Sequence, residues 1–133
     1  MSTNKVTLEN KKVDVLEKAA VSQGEIDAWK AMFGHVYKTM SGKQAIIYRP
    51  IRRSEYTKLM LDTDIPPEEE RIPEKRLERL SSRQVGLCEI AVLYPAGEEL
   101  SAMLENEAGL ASNLSDEIMD HSGFNALAQT EEL

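Results

Sequence analysis

The chain has 133 residues, of which 41% are hydrophobic, 29% are charged and 5% are aromatic. This length fits one domain of ordinary size, and the apolar content is too high for a fully disordered chain. The formal net charge of −7 argues against a protein that binds duplex nucleic acid, because such binding needs many basic contacts to phosphates.

The acidic charge is concentrated in the C-terminal quarter of the chain. Residues 1–97 hold all 16 Lys and Arg against 14 Asp and Glu, a net charge of +2. Residues 98–133 hold the other nine acidic residues and no Lys or Arg, a net charge of −9. An acidic end usually serves solubility, and docking to a basic partner is the sharper alternative.

The sequence also indicates the compartment in which the protein works. Its single cysteine, Cys88, cannot form an internal disulfide, which suits a reducing cytoplasm. The N-terminus has no apolar run typical of a signal peptide. The most apolar stretch, residues 87–96, is well below the roughly 20 residues of a membrane span. We therefore expect a soluble intracellular protein that does not enter a membrane.

In chain order, residues 1–21 predict an extended N-terminal arm, because their few apolar residues are scattered among Lys and Glu. A helix is predicted next, since Ser22 and Glu25 have the spacing of a capping box and Gly34 can end it. Residues 35–49 then predict a β-hairpin, in which two β-prone segments flank a Ser-Gly turn.

Three more helices and a connector are predicted in residues 50–107. Ser54 is expected to cap a short helix over residues 55–61, and the Pro-rich residues 62–73 predict an exposed connector. A helix over residues 98–107 is expected to begin with carboxylates. The strongest helical periodicity spans residues 74–94, with an inward stripe made by Leu77, Leu80, Gln84, Leu87, Cys88 and Ala91.

The last predicted helix covers residues 113–122, with Ser112 as its cap and Gly123 as its left-handed end. Together these elements predict a mainly α protein of the α+β class, with about five helices and one small β-hairpin. We expect the arm in residues 1–21, a single helical domain in residues 22–124, and an acidic tail in residues 125–133.

The residue types that carry chemistry do not form a recognisable catalytic or cofactor site. Seven residues separate Gly34 from Gly42-Lys43, where a phosphate-binding loop has four. His35, Cys88 and His121 lie in different predicted elements and show no metal-ligand spacing. We therefore predict a protein that is not an enzyme, with no catalytic residue, no metal, no cofactor and no small-molecule substrate.

A basic and aromatic patch is the candidate site for contacts, since Tyr and Arg are enriched where interfaces bind most strongly. A solvated hairpin edge is the alternative, and binding of single-stranded nucleic acid is a weaker third, disfavoured by the net charge. The residues that we predict to form a protein interface are Tyr48, Arg49, Arg52, Arg53 and Tyr56, with Lys58 beside them.

Three segments resemble small tail and baseplate assembly proteins of contractile-tailed bacteriophages. Residues 47–56, IYRPIRRSEY, resemble the strand-to-helix element of that family, in which Leu-Thr stands where Ile51-Arg52 stands here. Residues 89–95, EIAVLYP, resemble its helix ending in Tyr-Pro, and residues 108–124 resemble its final helix. The order and spacing of the three segments agree, whereas residues 1–21 have no counterpart.

The resemblance implies a non-enzymatic structural or assembly role in the phage tail or baseplate, as a permanent subunit or a transient chaperone. The implied partners are other phage structural proteins or copies of the chain itself. The implied location is the host cytoplasm during assembly, and the virion for a permanent component. The alternative is an acidic cytoplasmic regulator or inhibitor that binds a basic partner.

Overall fold

The computed structural model describes residues 21–124 and 132–133. Five helices and one antiparallel sheet in this part confirm the mainly α class with a hairpin. The predicted arm lies outside the described residues except for Val21, as does the predicted tail except for residues 132–133. The elements are α1 (Gln23–Phe33), β1 (Tyr37–Ser41), β2 (Gln44–Tyr48), α2 (Arg53–Asp62), a 3₁₀ turn (Pro67–Glu69), α3 (Pro73–Ala91), β3 (Val92–Tyr94), α4 (Glu98–Asn106) and α5 (Leu110–His121).

The first helix and the hairpin form where the sequence predicts them. The backbone N–H of Glu25 donates a hydrogen bond of 3.1 Å to Ser22 Oγ, which caps α1. Gly34 ends α1 with a φ of 84°, a left-handed conformation that glycine adopts without a steric penalty. Strands β1 and β2 pair antiparallel down to Ser41 and Gln44, which leaves a two-residue turn at Gly42-Lys43.

The third strand corrects the predicted extent of the long helix. The chain leaves the helical conformation after Ala91, and β3 pairs antiparallel with β2, with Ile47 opposite Tyr94. The backbone N–H of Arg49 donates to the carbonyl oxygen of Ala91 at 3.0 Å. A short apolar run fits a buried strand or a buried helix equally well, and here pairing with β2 decides for the strand.

The core lies between β2 and two helices, α3 and α5, which pack against each other. Residues of β2 point into it from one side, and α4 closes one end with Leu100 and Leu104. Gly86 allows α2 to approach α3 closely, because a Cβ at this position would lie 2.7 Å from Leu59 Cδ1. The best-buried apolar side chains include Ile46, Tyr48, Leu87, Cys88, Ala91, Pro95, Leu100, Leu114 and Ile118.

The N-terminal half of α3 contradicts part of the predicted inward stripe. Leu87, Cys88 and Ala91 are buried as predicted, but 67% of Leu77 and 50% of Leu80 are exposed. Leu77 and Leu80 continue the apolar face of α3 at helical spacing, but the neighbouring elements do not extend far enough to cover them. The first half of α3 therefore carries an uncovered apolar surface.

Two predicted serine caps are also wrong. Helix α2 begins at Arg53, one residue before Ser54, and the backbone N–H of Arg52 donates to Glu55 Oε1 at 3.0 Å. Helix α5 begins at Leu110, so Ser112 lies inside its first turn. In α2 the Glu55 carboxylate accepts from the N-cap backbone N–H of Arg52, which is the carboxylate half of a capping box.

Candidate interaction site

The fold divides the predicted basic and aromatic patch between the interior and the surface. Tyr48 is the last residue of the middle strand and Arg49 follows it directly, and the two residues are only 2% and 8% exposed. They cannot contact a partner directly, and their assignment to an interface is corrected here. Arg52 and Arg53 are exposed, and Tyr56 is half-buried. The part of the patch that a partner can reach is thus the start of α2.

Arg49 holds the junction between β2 and α2. Its guanidinium group donates two hydrogen bonds to the Glu55 carboxylate, at 2.8 and 2.6 Å. A third hydrogen bond, of 3.1 Å, goes to the carbonyl oxygen of Pro50. The guanidinium carbon also lies 4.4 Å from the centre of the Phe33 ring, within range of a cation–π interaction. One side chain therefore connects the sheet, α2 and the end of α1.

Glu55 responds electrostatically to this arrangement. The hydrogen bonds from Arg49 lower the pKa of the Glu55 carboxyl from 4.5 to about 2. Partial burial acts in the opposite direction, and the backbone N–H of Arg52 lowers the pKa further. The carboxylate is consequently ionised at neutral pH and accepts hydrogen bonds from Arg49 and Arg52 at the same time.

This pair predicts an acid-sensitive contribution to folding. Because the folded pKa lies below the ordinary value, the contribution is complete above pH 4.5 and is lost as the pH falls toward about 2. We expect the free energy of unfolding, measured by urea titration at several pH values, to fall more steeply for the wild type than for Glu55→Gln. Glu70→Gln, an exposed change outside the pair, should keep the wild-type slope. Equal slopes for wild type and Glu55→Gln would contradict the assignment.

A cluster of three rings lies beside the junction. Tyr48 Oη and His121 Nδ1 share a hydrogen bond of 2.8 Å. The ring of Tyr37 stacks on His121 with centres 4.0 Å apart. Burial raises the pKa of the Tyr48 hydroxyl to about 12, so this phenol stays protonated at neutral pH. The cluster attaches the end of α5 to the hairpin.

Two further contacts join the residues after α5 to the start of α2. The backbone N–H of Ile51 donates to Ser122 Oγ at 2.9 Å. The centres of the Tyr56 and Phe124 rings lie 4.5 Å apart. Phe124 directly follows Gly123, whose φ of 93° confirms the predicted helix end. Together with the β2–β3 pairing, these contacts bring residues 47–56, 89–95 and 108–124 into one cluster. We call this cluster the three-segment junction.

The residues considered for chemistry are placed as follows. Cys88 is fully buried, its Sγ lies 3.8 Å from the carbonyl oxygen of Ala111, and burial raises its thiol pKa to about 12. Its sulfur is therefore not the thiolate that nucleophilic chemistry needs. His35 and His121 both stack on Tyr37, although the sequence separates them widely. Among residues 21–124 and 132–133, no group of three or more His, Cys, Asp or Glu side chains could hold a metal ion.

Local sequence patterns contain little indication of the residues that complete the junction. Four residues of the junction were not predicted as site residues, because their partners are distant in the chain or because their positions fit an ordinary helical pattern. These residues are Phe33, Glu55, His121 and Ser122. One sequence feature could have indicated the role of Glu55: it lies three residues after Arg52 at the start of a helix, where a capping-box carboxylate is expected. Tyr48 and His121 are 73 residues apart, and no local rule pairs them.

Neither a search for membrane-spanning helices nor a comparison with known proteins assigns a function to this chain. In the described part of the chain, none of the helices combines the length and the apolar content that crossing a membrane requires. Comparisons with protein-family models, with curated proteins and with solved structures find no match to this chain. The features available to support a function are the three-segment junction and the exposed surfaces beside it.

Proposed function

We propose that this protein is a non-enzymatic tail or baseplate component, or assembly factor, of a contractile-tailed bacteriophage, and that it acts through protein–protein contacts. The observation that supports the proposal is the three-segment junction. The three segments that resemble the phage family are separated in the sequence, yet they pack together in the fold. The three segments form one structural unit in this fold, which is the arrangement that a shared family fold would require.

Residues within the three resembling segments form contacts that stabilise the fold. The Arg-Pro and Glu-Tyr pairs of residues 47–56 supply Arg49 and Glu55, which form the ion pair, and Tyr56, which packs on Phe124. Tyr94 of the second segment lies opposite Ile47 in the sheet. These side chains stabilise a shape, which is what a protein that works by docking to other proteins requires.

Two surfaces are available for docking to other phage proteins. Arg52 and Arg53 are exposed where α2 begins, next to the junction. In the sequence of residues 1–21, Val13, Leu16 and Ala20 have the spacing of one helical face, a pattern that suits contact with a partner surface.

The test is the composition of phage particles assembled with a tagged version of the chain. We predict that the chain is present in particles or in purified assembly intermediates at a fixed ratio to the other tail proteins. Deleting residues 1–20 should keep the helical circular-dichroism spectrum and prevent this incorporation. Arg52→Glu with Arg53→Glu should reduce incorporation strongly, because both side chains are exposed and their loss leaves the core intact.

The matched control is Lys43→Glu with Lys75→Glu, which makes the same change of charge at exposed positions away from α2. This control should enter particles as the wild type does. If the chain is missing from particles and from all intermediates, the phage role is wrong. Co-purification with one basic host protein in that case would favour the acidic regulator, for which the −9 charge of residues 98–133 is the supporting observation.

A further inference from the structure

Three arginines of α3 line one small cavity beside the Pro-rich connector. The cavity lies between α3 and the residues that follow α2, and its volume is about 180 Å³. Among the described residues, its lining consists of Thr63, Ile65, Arg76, Arg79, Leu80 and Arg83. None of these residues is acidic. We call this space the arginine cavity.

The spacing of the arginines along α3 explains why they share one cavity. Arg76, Arg79 and Arg83 are three and four residues apart, which places them on one face of a helix. The chain after α2 supplies Thr63 and Ile65 as the facing wall. Three like charges in one small space repel each other, and an anion between them relieves that repulsion.

Two of the arginines are held in place by the connector. Arg83 Nε donates to Thr63 Oγ1 at 3.0 Å, and Arg83 Nη2 donates to the carbonyl oxygen of Thr63 at 3.5 Å. Arg79 Nη2 lies 3.4 Å from Glu69 Oε2. A guanidinium group has five N–H donors, so both side chains keep donors for a further acceptor. Because neighbours already restrain them, binding costs less conformational entropy.

The charges in the arginine cavity are only partly balanced. Residues 62–70 of the connector contain five carboxylates, but within that segment Glu69 alone forms an ion pair with an arginine of the cavity. Arg76 forms no hydrogen bond or ion pair with the described part of the chain. Three guanidinium groups against one carboxylate leave the cavity with a net charge of +2.

We propose that the arginine cavity binds a phosphate group, as inorganic phosphate or as a phosphate monoester. A monoester carries a charge of about −1.5 to −2 at pH 7 and offers three oxygen acceptors, which matches the excess charge and the three guanidinium groups. The planar guanidinium of arginine can donate to two phosphate oxygens at once. A carboxylate has a single charge and two oxygens, so it matches this cavity less well.

The test is an NMR titration of the full chain that follows the side-chain N–H signals of its arginines. Inorganic phosphate and phosphoserine are added in separate experiments, and the tighter ligand identifies the source of the phosphate group. We expect saturable shifts of the Arg76, Arg79 and Arg83 signals with a dissociation constant of about 1 mM. Serine and acetate, which lack the phosphate group, should bind at least about tenfold more weakly.

Arg76→Gln tests the site without disturbing the connector. Arg76 is exposed, so the variant should keep the wild-type circular-dichroism spectrum and melting curve. Phosphate binding should weaken at least about fivefold, because one of three charge-assisted contacts is lost. The matched control is Lys75→Gln, which removes the same charge from the adjacent residue. Lys75 is exposed and does not line the cavity, so this control should bind as the wild type does.

Two results would overturn the inference. The first is the absence of saturable arginine shifts with either ligand at about 20 mM, well above the expected dissociation constant. The second is an equal loss of binding in Arg76→Gln and Lys75→Gln, which would mean that phosphate responds to the charge of α3 in general and not to the cavity. The titration uses the isolated chain, so its outcome is independent of incorporation into phage particles.

Discussion

Replacing Leu87 by aspartate is expected to abolish the folded state. Leu87 is 4% exposed and lies in the core between α3 and its neighbours. The change removes burial of about 2 kcal/mol and places a charged group among the buried side chains of the core, at a further cost of several kcal/mol. The sum is comparable with the about 5–15 kcal/mol that holds an ordinary domain together. Circular dichroism should show no cooperative thermal transition.

Leu77→Asp is the matched control for this prediction. It makes the same chemical change on the same helix, ten residues earlier, at a position that is 67% exposed. Surface changes of this kind usually alter the free energy of unfolding by no more than about 0.5 kcal/mol, so its melting curve should match that of the wild type. A cooperative melt of Leu87→Asp near the wild-type temperature would show that α3 does not bury this face.

Replacing Arg49 by methionine should destabilise the protein by about 3 kcal/mol. Breaking a buried ion pair by removing one partner typically costs about 3–5 kcal/mol. We expect the lower end of that range because 28% of the Glu55 side chain is exposed, so water can solvate the carboxylate that is left. Methionine keeps an apolar stem near the Phe33 ring. The free energy of unfolding is obtained from urea titration at neutral pH.

A double-mutant cycle separates the ion pair from the packing around it. Arg49→Met with Glu55→Gln leaves neither charge unpaired, so the double change should cost at least about 1 kcal/mol less than the sum of the two single changes. Strictly additive costs would mean that Arg49 stabilises the junction by packing alone. The same cycle with Arg53→Met in place of Arg49→Met should be additive, because Arg53 is exposed.

Local patterns were sufficient to predict the helical elements. Hydrophobic periodicity located five helices, and the ends at Gly34 and Gly123 follow from the left-handed conformation that glycine adopts easily. The Ser-Gly signal located the hairpin within a residue or two. Each of these predictions depends on residues within one or two turns of each other, a range over which sequence determines conformation directly.

The errors come from contacts between distant parts of the chain. Whether residues 92–94 continue a helix or form a strand depends on β2, more than forty residues earlier. Whether Leu77 is covered depends on where the neighbouring elements end. Arg49 looked like an exposed interface residue because the sequence gives no sign that Glu55 and Phe33 enclose it. Arginine side chains are usually exposed, but the two hydrogen bonds from Arg49 to the Glu55 carboxylate allow this one to be buried.

The direct passage from α3 into β3 has a consequence for how the molecule tolerates change. Ala91 ends the helix and Val92 begins the strand, with no loop residue between them. An inserted residue at this point would rotate the helix by about 100° or turn each strand side chain to the opposite face. Either outcome breaks the core on one side. The direction in which the side chains of α3 point and the face to which the side chains of β3 point are therefore set together, because no loop residue lies between the helix and the strand.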